Sequence, residues 1–342
     1  MDRRQKALFK SILSVFAPLV ILLLLSFVGT DIYFAYRMLH PEKRAVINTP
    51  QGYEQILQKP IWDEKSWAGA GGTQMSGWLI YQDHPAPTVI LSHGYGSNRE
   101  DLLSTSYRLW DAGYNVVTYD LRSHGQSAVA ATTLGPAELD DLRATIVYAK
   151  ELKNDKGVML SDGRIGLYGV DLGGFVSLSA AARDDAVKAV VIDSIYPSQS
   201  DYYKFLSKTL IGSTAPPNSS LVEMGIFQRL LSTSIGLMSK GGTAPLTADQ
   251  AFQALGDRPV MIIRSTSQPI GQLTAIAAKS APKAVVLELP QTRSGSTLLK
   301  QDAQAYDDAV VAFFTAAPDF MPPPRTRVPG ELDRSAKTPE KK

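Results

Sequence analysis

Past residue 70 the chain alternates between short, continuous apolar runs and longer stretches whose apolar residues recur every three or four positions. The runs Ser76–Tyr81, Thr88–Ser92, Asn115–Tyr119, Arg164–Tyr168, Val187–Ile192, Pro259–Arg264 and Lys283–Leu289 read as strands. The periodic stretches Arg99–Asp111, Ala137–Leu152, Leu172–Ala182, Ile270–Lys279 and Lys300–Phe314 read as helices. VVTY, AVVI and VMII are apolar at every or nearly every position, which is the signature of strands buried on both faces. Strand–helix alternation of this kind predicts an α/β domain: a mostly parallel central sheet with helices on both faces. Its functional groups are then expected at the C-terminal ends of the strands.

One interval departs from this rhythm. Between Ile192 and Pro259 the chain holds two segments of helical period, SDYYKFLSKTLI and LVEMGIFQRLLSTSIGLM, followed by TADQAFQAL. The interval is far longer than a usual α/β connection and predicts a small helical cap over residues 194–258. Leu221, Met224, Phe227, Leu230 and Leu231 form an apolar stripe in it. Stripes of this kind usually pack on their own domain; lining a pocket or facing a membrane is the alternative.

The two ends have their own patterns. Residues 1–10 carry Arg3, Arg4, Lys6 and Lys10, and residues 11–30 carry no charge at all. Twenty uncharged, mostly apolar residues at 1.5 Å each reach about 30 Å, the thickness of a bilayer core. This predicts a single-pass transmembrane helix, with the basic end cytoplasmic and the globular part extracytoplasmic, on the periplasmic side of a cell membrane. Tyr33 and Tyr36 suit the far interface, and Pro18 is compatible with a spanning helix. A cleaved signal peptide is the competing reading, but the apolar stretch is longer than usual and no clean A-x-A site follows it. Residues 31–70 read as a connector with an edge strand. Residues 317–342 are rich in proline and charge without apolar periodicity, which predicts a flexible tail beyond a domain ending near 316.

Composition mostly excludes. The net charge of +2 gives no nucleic-acid surface, and the absence of cysteine removes disulfides, thiolate metal sites and a cysteine nucleophile. A metal site built from His93, His124, Asp120 and Asp171 lacks any dense ligand spacing.

The chemistry gathers around RIGLYGVDLGG, residues 164–174, where a strand enters a glycine-framed turn and a small-residue helix. This is the layout of a G-x-S-x-G nucleophile elbow with Asp171 in the serine position. All four histidines, His40, His84, His93 and His124, precede it. Upstream, VILSHGYGSNRED places two glycines after a strand, so the loop can turn sharply and present an N–H to an oxyanion. In GYNVVTYDLRSHGQS, Asp120, Arg122 and His124 follow a buried strand. Together with His93 they are read as loop-ordering groups, with Asp120 expected to pair with Arg122.

LSHGYGSNRED, GYNVVTYDLRSHGQS, IGLYGVDLGG and AVVIDS, in that order, resemble the α/β-hydrolase superfamily, specifically membrane-anchored bacterial serine-hydrolase-like proteins with a short cap. The resemblance covers roughly residues 70–316. It implies an α/β-hydrolase fold, cleavage of esters, amides or similar bonds, and no cofactor. It also implies oxyanion-hole N–H groups at Tyr95 and Leu172 and a nucleophile at Asp171. The acid position falls at Ser267 or Gln268, and the histidine position at Arg293, Ser294 or Gly295. The triad positions Asp171, Gln268 and Ser294 therefore all depart from the pattern. Two functions stay open: a membrane-tethered, non-catalytic pseudo-hydrolase that binds a protein partner or a small apolar ligand under the cap, and a hydrolase of ester or related bonds, using either Asp171 as nucleophile, as haloalkane dehalogenases and epoxide hydrolases do, or an arrangement the sequence does not display. Glu288, Asp302 and Asp307 are the carboxylates to consider as a base for the second.

Overall fold

The computed structural model describes residues 3–53, 61–154, 156–212, 220–239, 241–265, 271–289 and 300–323. Its first element, α1 (Arg3–Leu39), is one helix that contains Pro18 and continues nine residues past the predicted span. Among the described residues one helix, Phe9–Leu39, is long and apolar enough to cross a membrane, and its most apolar window makes no buried contacts. The end of α1 behaves differently: Ala35, Met38 and Leu39 are buried against the domain. The segment expected as a connector thus begins with the last turns of a helix. A short helix α2 (Pro50–Tyr53) follows.

The sheet has eight strands: β1 (Ile61–Ala68), β2 (Gln74–Tyr81), β3 (Ala86–Ser92), β4 (Asn115–Tyr119), β5 (Ser161–Val170), β6 (Val187–Asp193), β7 (Val260–Ser265) and β8 (Val285–Leu289). Their order is β1-β2-β4-β3-β5-β6-β7-β8. The β1–β2 and β2–β4 pairs are antiparallel, and all later pairs are parallel. β3 and β4 are buried at every position, as their largely apolar runs predict, and the buried set includes the polar Thr88, Ser92, Asn115 and Thr118.

Helices α3 (Leu103–Asp111) and α10 (Lys300–Ala316) cover one face, contributing Leu103, Tyr107, Tyr306, Val310 and Phe314 to its core. The other face is covered by α4 (Pro136–Lys150), α5 (Leu172–Ala181), α8 (Ala248–Leu255) and α9 (Gly271–Ser280). Between β6 and α8 stand the cap helices α6 (Gln199–Gly212) and α7 (Gly225–Met238). The apolar stripe predicted here divides: Phe227 and Leu231 are buried, whereas Met224 is exposed. Much of the burial is against α1, since Phe227 packs edge-on to Phe27 and Phe34.

The register decides where the site lies. Ser92 of β3 stands opposite Tyr119 of β4 and Gly169 of β5, and Val170 opposite Asp193 of β6. The residues that follow these strands, His93, Asp120, Asp171 and Ser194, therefore emerge together at one edge.

Packing on the domain continues past residue 316, into the stretch read as a tail. Phe320 is fully buried and stacks on Tyr114, and Arg164 donates to the carbonyls of Asp319 and Met321. Burying one phenylalanine contributes about 2 kcal/mol, enough to tie down a proline-rich segment that shows no periodicity.

Candidate functional site

At the end of β5 the backbone turns through Asp171 in the left-handed region, with φ 52° and ψ −113°. A non-glycine residue rarely adopts this conformation, and its cost is held by tight packing on either side. A Cβ on Gly169 would lie 2.3 Å from the Gly173 carbonyl oxygen, and one on Gly173 would lie 2.3 Å from that of Ser92. The glycines at these places are therefore required by the closeness of α5 to β5 and β3.

The Asp171 side chain points into the loop that follows β3. Its Oδ2 accepts a hydrogen bond from the Tyr95 N–H at 3.0 Å and another from the Tyr202 hydroxyl of α6 at 3.2 Å. Its Oδ1 is buried and has no hydrogen-bond partner among the described residues. Burial pushes the carboxyl up to about 6, opposed by the Tyr95 amide, the Tyr202 hydroxyl and the Leu172 amide, while the Asp193 charge adds to the upward push. The two N–H groups expected to form the oxyanion hole thus both act on the Asp171 carboxylate itself.

Asp193 adds a second buried carboxylate beneath the elbow. Its backbone carbonyl accepts the Asp171 N–H at 2.8 Å, its Oδ1 accepts from Ser194 Oγ at 2.7 Å, and its Oδ2 accepts from the Tyr306 hydroxyl at 2.6 Å. Neither Asp193 nor Tyr202 stands out in the sequence as a site residue. Asp193 lies at the end of a predicted strand, where such groups collect, but Tyr202 reaches Asp171 from the cap and leaves no local signal.

The histidines are committed elsewhere. His93 Nδ1 donates to the Gly94 carbonyl at 2.8 Å and its Nε2 accepts the Leu121 N–H at 3.0 Å, which fixes the neutral tautomer. His124 Nδ1 donates to the Arg122 carbonyl at 2.6 Å, and its ring packs edge-on to Tyr95 and His93. Burial pushes both imidazoles down to about 4. Asp120 accepts from the Arg99 and Gln126 amides at 2.9 and 3.0 Å. Arg122 does not pair with it: the guanidinium donates to Asp141 at 2.5 and 3.0 Å. The expected Asp120–Arg122 pair is corrected accordingly, because Asp120 is already filled by backbone donors and α4 brings Asp141 alongside Arg122.

Of the other carboxylates considered as a base, Glu288 pairs with Arg264, and Asp307 accepts from Ser104 and Thr105 at 2.5 and 2.6 Å. The side chain of Asp302 lies outside the described residues, as do the acid position at Ser267 or Gln268 and the histidine position at Arg293, Ser294 or Gly295. Among the described residues no group of three or more His, Cys, Asp or Glu could hold a metal ion.

Strand order, elbow and loop placement define the α/β-hydrolase fold. The similarity to known proteins agrees with it. The sequence profile of the X-Pro dipeptidyl-peptidase (S15 family) matches residues 81–211. The structure of the Pyrococcus furiosus esterase Pf2001 superposes with a TM-score of 0.61 at 21% identity, covering 82% of this chain and 98% of the esterase. The putative esterase YitV of Bacillus subtilis is 33% identical over 109 residues, 31% of this chain and 43% of YitV. The quorum-quenching protein AidA of Acinetobacter baumannii is 29% identical over 178 residues, 51% of this chain and 53% of AidA. Three further curated relatives are matched over 34% to 36% of their own length, so the chain spans about a third of each.

Proposed function

We propose that the protein is a membrane-tethered hydrolase of ester or related bonds in which Asp171 is the nucleophile. One observation carries this reading: Oδ2 is held by Tyr95 and Tyr202 while Oδ1 has no partner among the described residues. A carboxylate held by one oxygen presents the other for attack without first losing a proton from a hydroxyl. Oδ1 attacks a carbon bearing a leaving group and the bond from that carbon to the leaving atom breaks with its electron pair; an acyl carbon gives a mixed anhydride with Asp171 and an epoxide carbon gives an aspartyl ester. Water then adds to Cγ, negative charge develops on Oδ2, where the Tyr95 N–H and the Tyr202 hydroxyl donate, and the adduct collapses with cleavage of the bond from Cγ to the substrate oxygen, which releases the product and regenerates the Asp171 carboxylate. The proton from that water passes to a base other than a histidine beyond the elbow, since none follows His124. His93, Asp120, Arg122 and His124 serve in this reading to order the loops that carry Tyr95.

The experiment is turnover of a p-nitrophenyl ester and of a terminal epoxide by the full-length protein, compared with Asp171→Asn. The expected result is turnover that the substitution abolishes. Intact mass after the epoxide should show an adduct at Asp171 whenever the water step is the slower one.

A second reading, a non-catalytic hydrolase-like protein that binds a protein partner or a small apolar ligand under the cap, is favoured by the same carboxylate filling its own oxyanion hole. Wild-type protein that neither turns over substrate nor acquires an adduct would establish this reading and refute the first.

The tether is α1, read as a retained anchor with residues 1–10 cytoplasmic and the globular domain on the far side. The uncharged stretch and the basic flank support it. Protease added to intact spheroplasts should digest the domain; digestion only after lysis would reverse the orientation.

A further inference from the structure

The cap helix α7 crosses the anchor at a level that the side chains fix. Phe227 lies 5.9 Å from Phe27 and 5.8 Å from Phe34, measured between ring centroids, so it sits midway between two residues separated by about two helical turns. Seven residues further along α7, Ser234 donates to Asp31 at 2.5 Å. Both contact points of α7 therefore meet α1 near residues 30 and 31. A helix that advances about 10 Å along its own axis while staying at one level of its neighbour runs across that neighbour rather than along it.

That level is where the uncharged stretch ends. Residues 11–30 carry no charge, Asp31 is the first charge after them, and Tyr33 and Tyr36 are exposed one turn beyond. If α1 spans a bilayer, this is the boundary between acyl chains and headgroups, and α7 lies along it.

The side chains of α7 divide to suit. Phe227, Leu231 and Ile235 are buried against the domain and α1. Ile226, Leu230 and Leu237, at spacings of four and seven residues, form a separate stripe turned away from that face. Ile226 is 64% exposed and Leu237 74% exposed, although both are large and apolar. Leu230 between them is half-buried, and large apolar residues left exposed along one helix face signal a surface that another phase covers.

We propose that α7 is a second membrane contact, an amphipathic helix lying in the interface of the bilayer that α1 crosses, with Ile226, Leu230 and Leu237 directed into the acyl region. The proposal rests on the reading of α1 as a membrane anchor. The anchor supplies the position: it holds α7 at the interface through Phe27, Asp31 and Phe34, so the stripe meets lipid without a binding step of its own.

The chain has no cysteine, so single cysteines can be placed at will in the full-length protein. The variants are Ile226→Cys and Leu237→Cys in the stripe, Leu22→Cys in the anchor, and Val158→Cys, an exposed site just before β5, at the sheet edge opposite the elbow. Each is labelled with a nitrobenzoxadiazole fluorophore and reconstituted into vesicles of phosphatidylcholine and phosphatidylglycerol, some carrying nitroxide lipids labelled near the headgroup. The expected result is blue-shifted emission and nitroxide quenching at 226 and 237, blue-shifted emission at 22, and neither effect at 158. Emission at 226 and 237 that matches 158 while 22 reports the bilayer would overturn the docking of α7 and leave the anchor standing. Aqueous emission at 22 as well would overturn both.

Discussion

Asp141 and Asp171 are both buried carboxylates, and their surroundings differ in one respect. Asp141 faces a cation: Arg122 donates to it at 2.5 and 3.0 Å, and the Ala70 N–H adds a bond at 2.9 Å. Asp171 faces none; only neutral donors act on it, the Tyr95 amide and Tyr202 phenol on Oδ2 and the nearby Leu172 amide. A buried charge with a matched counter-charge and filled hydrogen bonds is a means of fixing loops, here the turn at 69–73 against α4. A buried charge without one is a standing cost that packing elsewhere must offset, and such costs gather where chemistry is done. Burial pushes both carboxyls above their ordinary range, at Asp141 against the opposing pull of Arg122, but removing Asp141 strands a guanidinium whereas replacing Asp171 strands no charge, so the two substitutions are expected to differ in sign.

The largest effect is expected at Asp141. Asp141→Ala leaves the Arg122 guanidinium largely buried without its carboxylate and strips the Ala70 amide of its acceptor. Breaking one side of a buried pair costs about 3–5 kcal/mol. Chemical denaturation should show a loss in the lower part of that range, because Arg122 keeps its bonds to Thr73 and the Ala70 carbonyl. A loss within experimental error would mean that Arg122 escapes to solvent and that the pair fixes nothing.

Asp171→Asn should move stability the other way. Burial raises the carboxyl from 3.8 to about 6, so the folded state binds its proton more tightly than the unfolded state does. Between about pH 4 and pH 6 folding then takes up a proton, and stability falls as pH rises through that window and levels off above it. A shift of about two units corresponds to a penalty of roughly 3 kcal/mol at pH 8. Asparagine keeps an acceptor for Tyr95 without the charge, so the variant should be more stable than wild type by about 1–3 kcal/mol at pH 8. The difference should shrink towards pH 4. A variant less stable than wild type at pH 8 would show that the helix N-terminus and the two donors outweigh burial.

The same contrast explains what could be read from the sequence. β4, β6 and β7 were legible because their runs VVTY, AVVI and VMII are apolar almost throughout, and the elbow was legible because Gly169, Gly173 and Gly174 frame it. The edge strand β1 was legible only in outline, since Asp63, Glu64 and Lys65 interrupt IWDEKSWA. Contacts between distant segments were not legible. Arg122 meets Asp141 from the next helix, Tyr202 reaches Asp171 from the cap, and Phe320 returns to Tyr114 from within a proline-rich stretch. Each depends on a chain path that local pattern does not encode. The docking of α1 on α7 belongs with them: the apolar span was plain, but nothing local shows that Phe27 and Phe34 would enclose Phe227.

The smallest effect sharpens the comparison most, because it tests whether Asp171 feels its partners as a charge. Tyr202→Phe removes one hydroxyl that donates to Oδ2 at 3.2 Å and leaves a ring of nearly the same shape. At pH 8, where Asp171 is ionised, the loss should be about 0.5–1.5 kcal/mol. Near pH 4, where the carboxyl is protonated and can make its own donation, the loss should be smaller. Because the hydroxyl holds the Asp171 pKa down, its removal should also move the upper limit of the pH-dependent stability window upward from about 6. In an Asp171→Asn background there is no charge for the hydroxyl to stabilise, so Tyr202→Phe should produce no pH-dependent change at all. Stability differences measured across pH 4–8 in the four proteins separate these cases. A pH-independent loss from Tyr202→Phe in both backgrounds would make Tyr202 a packing residue of α6, and Asp171 would then be held by the Tyr95 loop and the start of α5 alone.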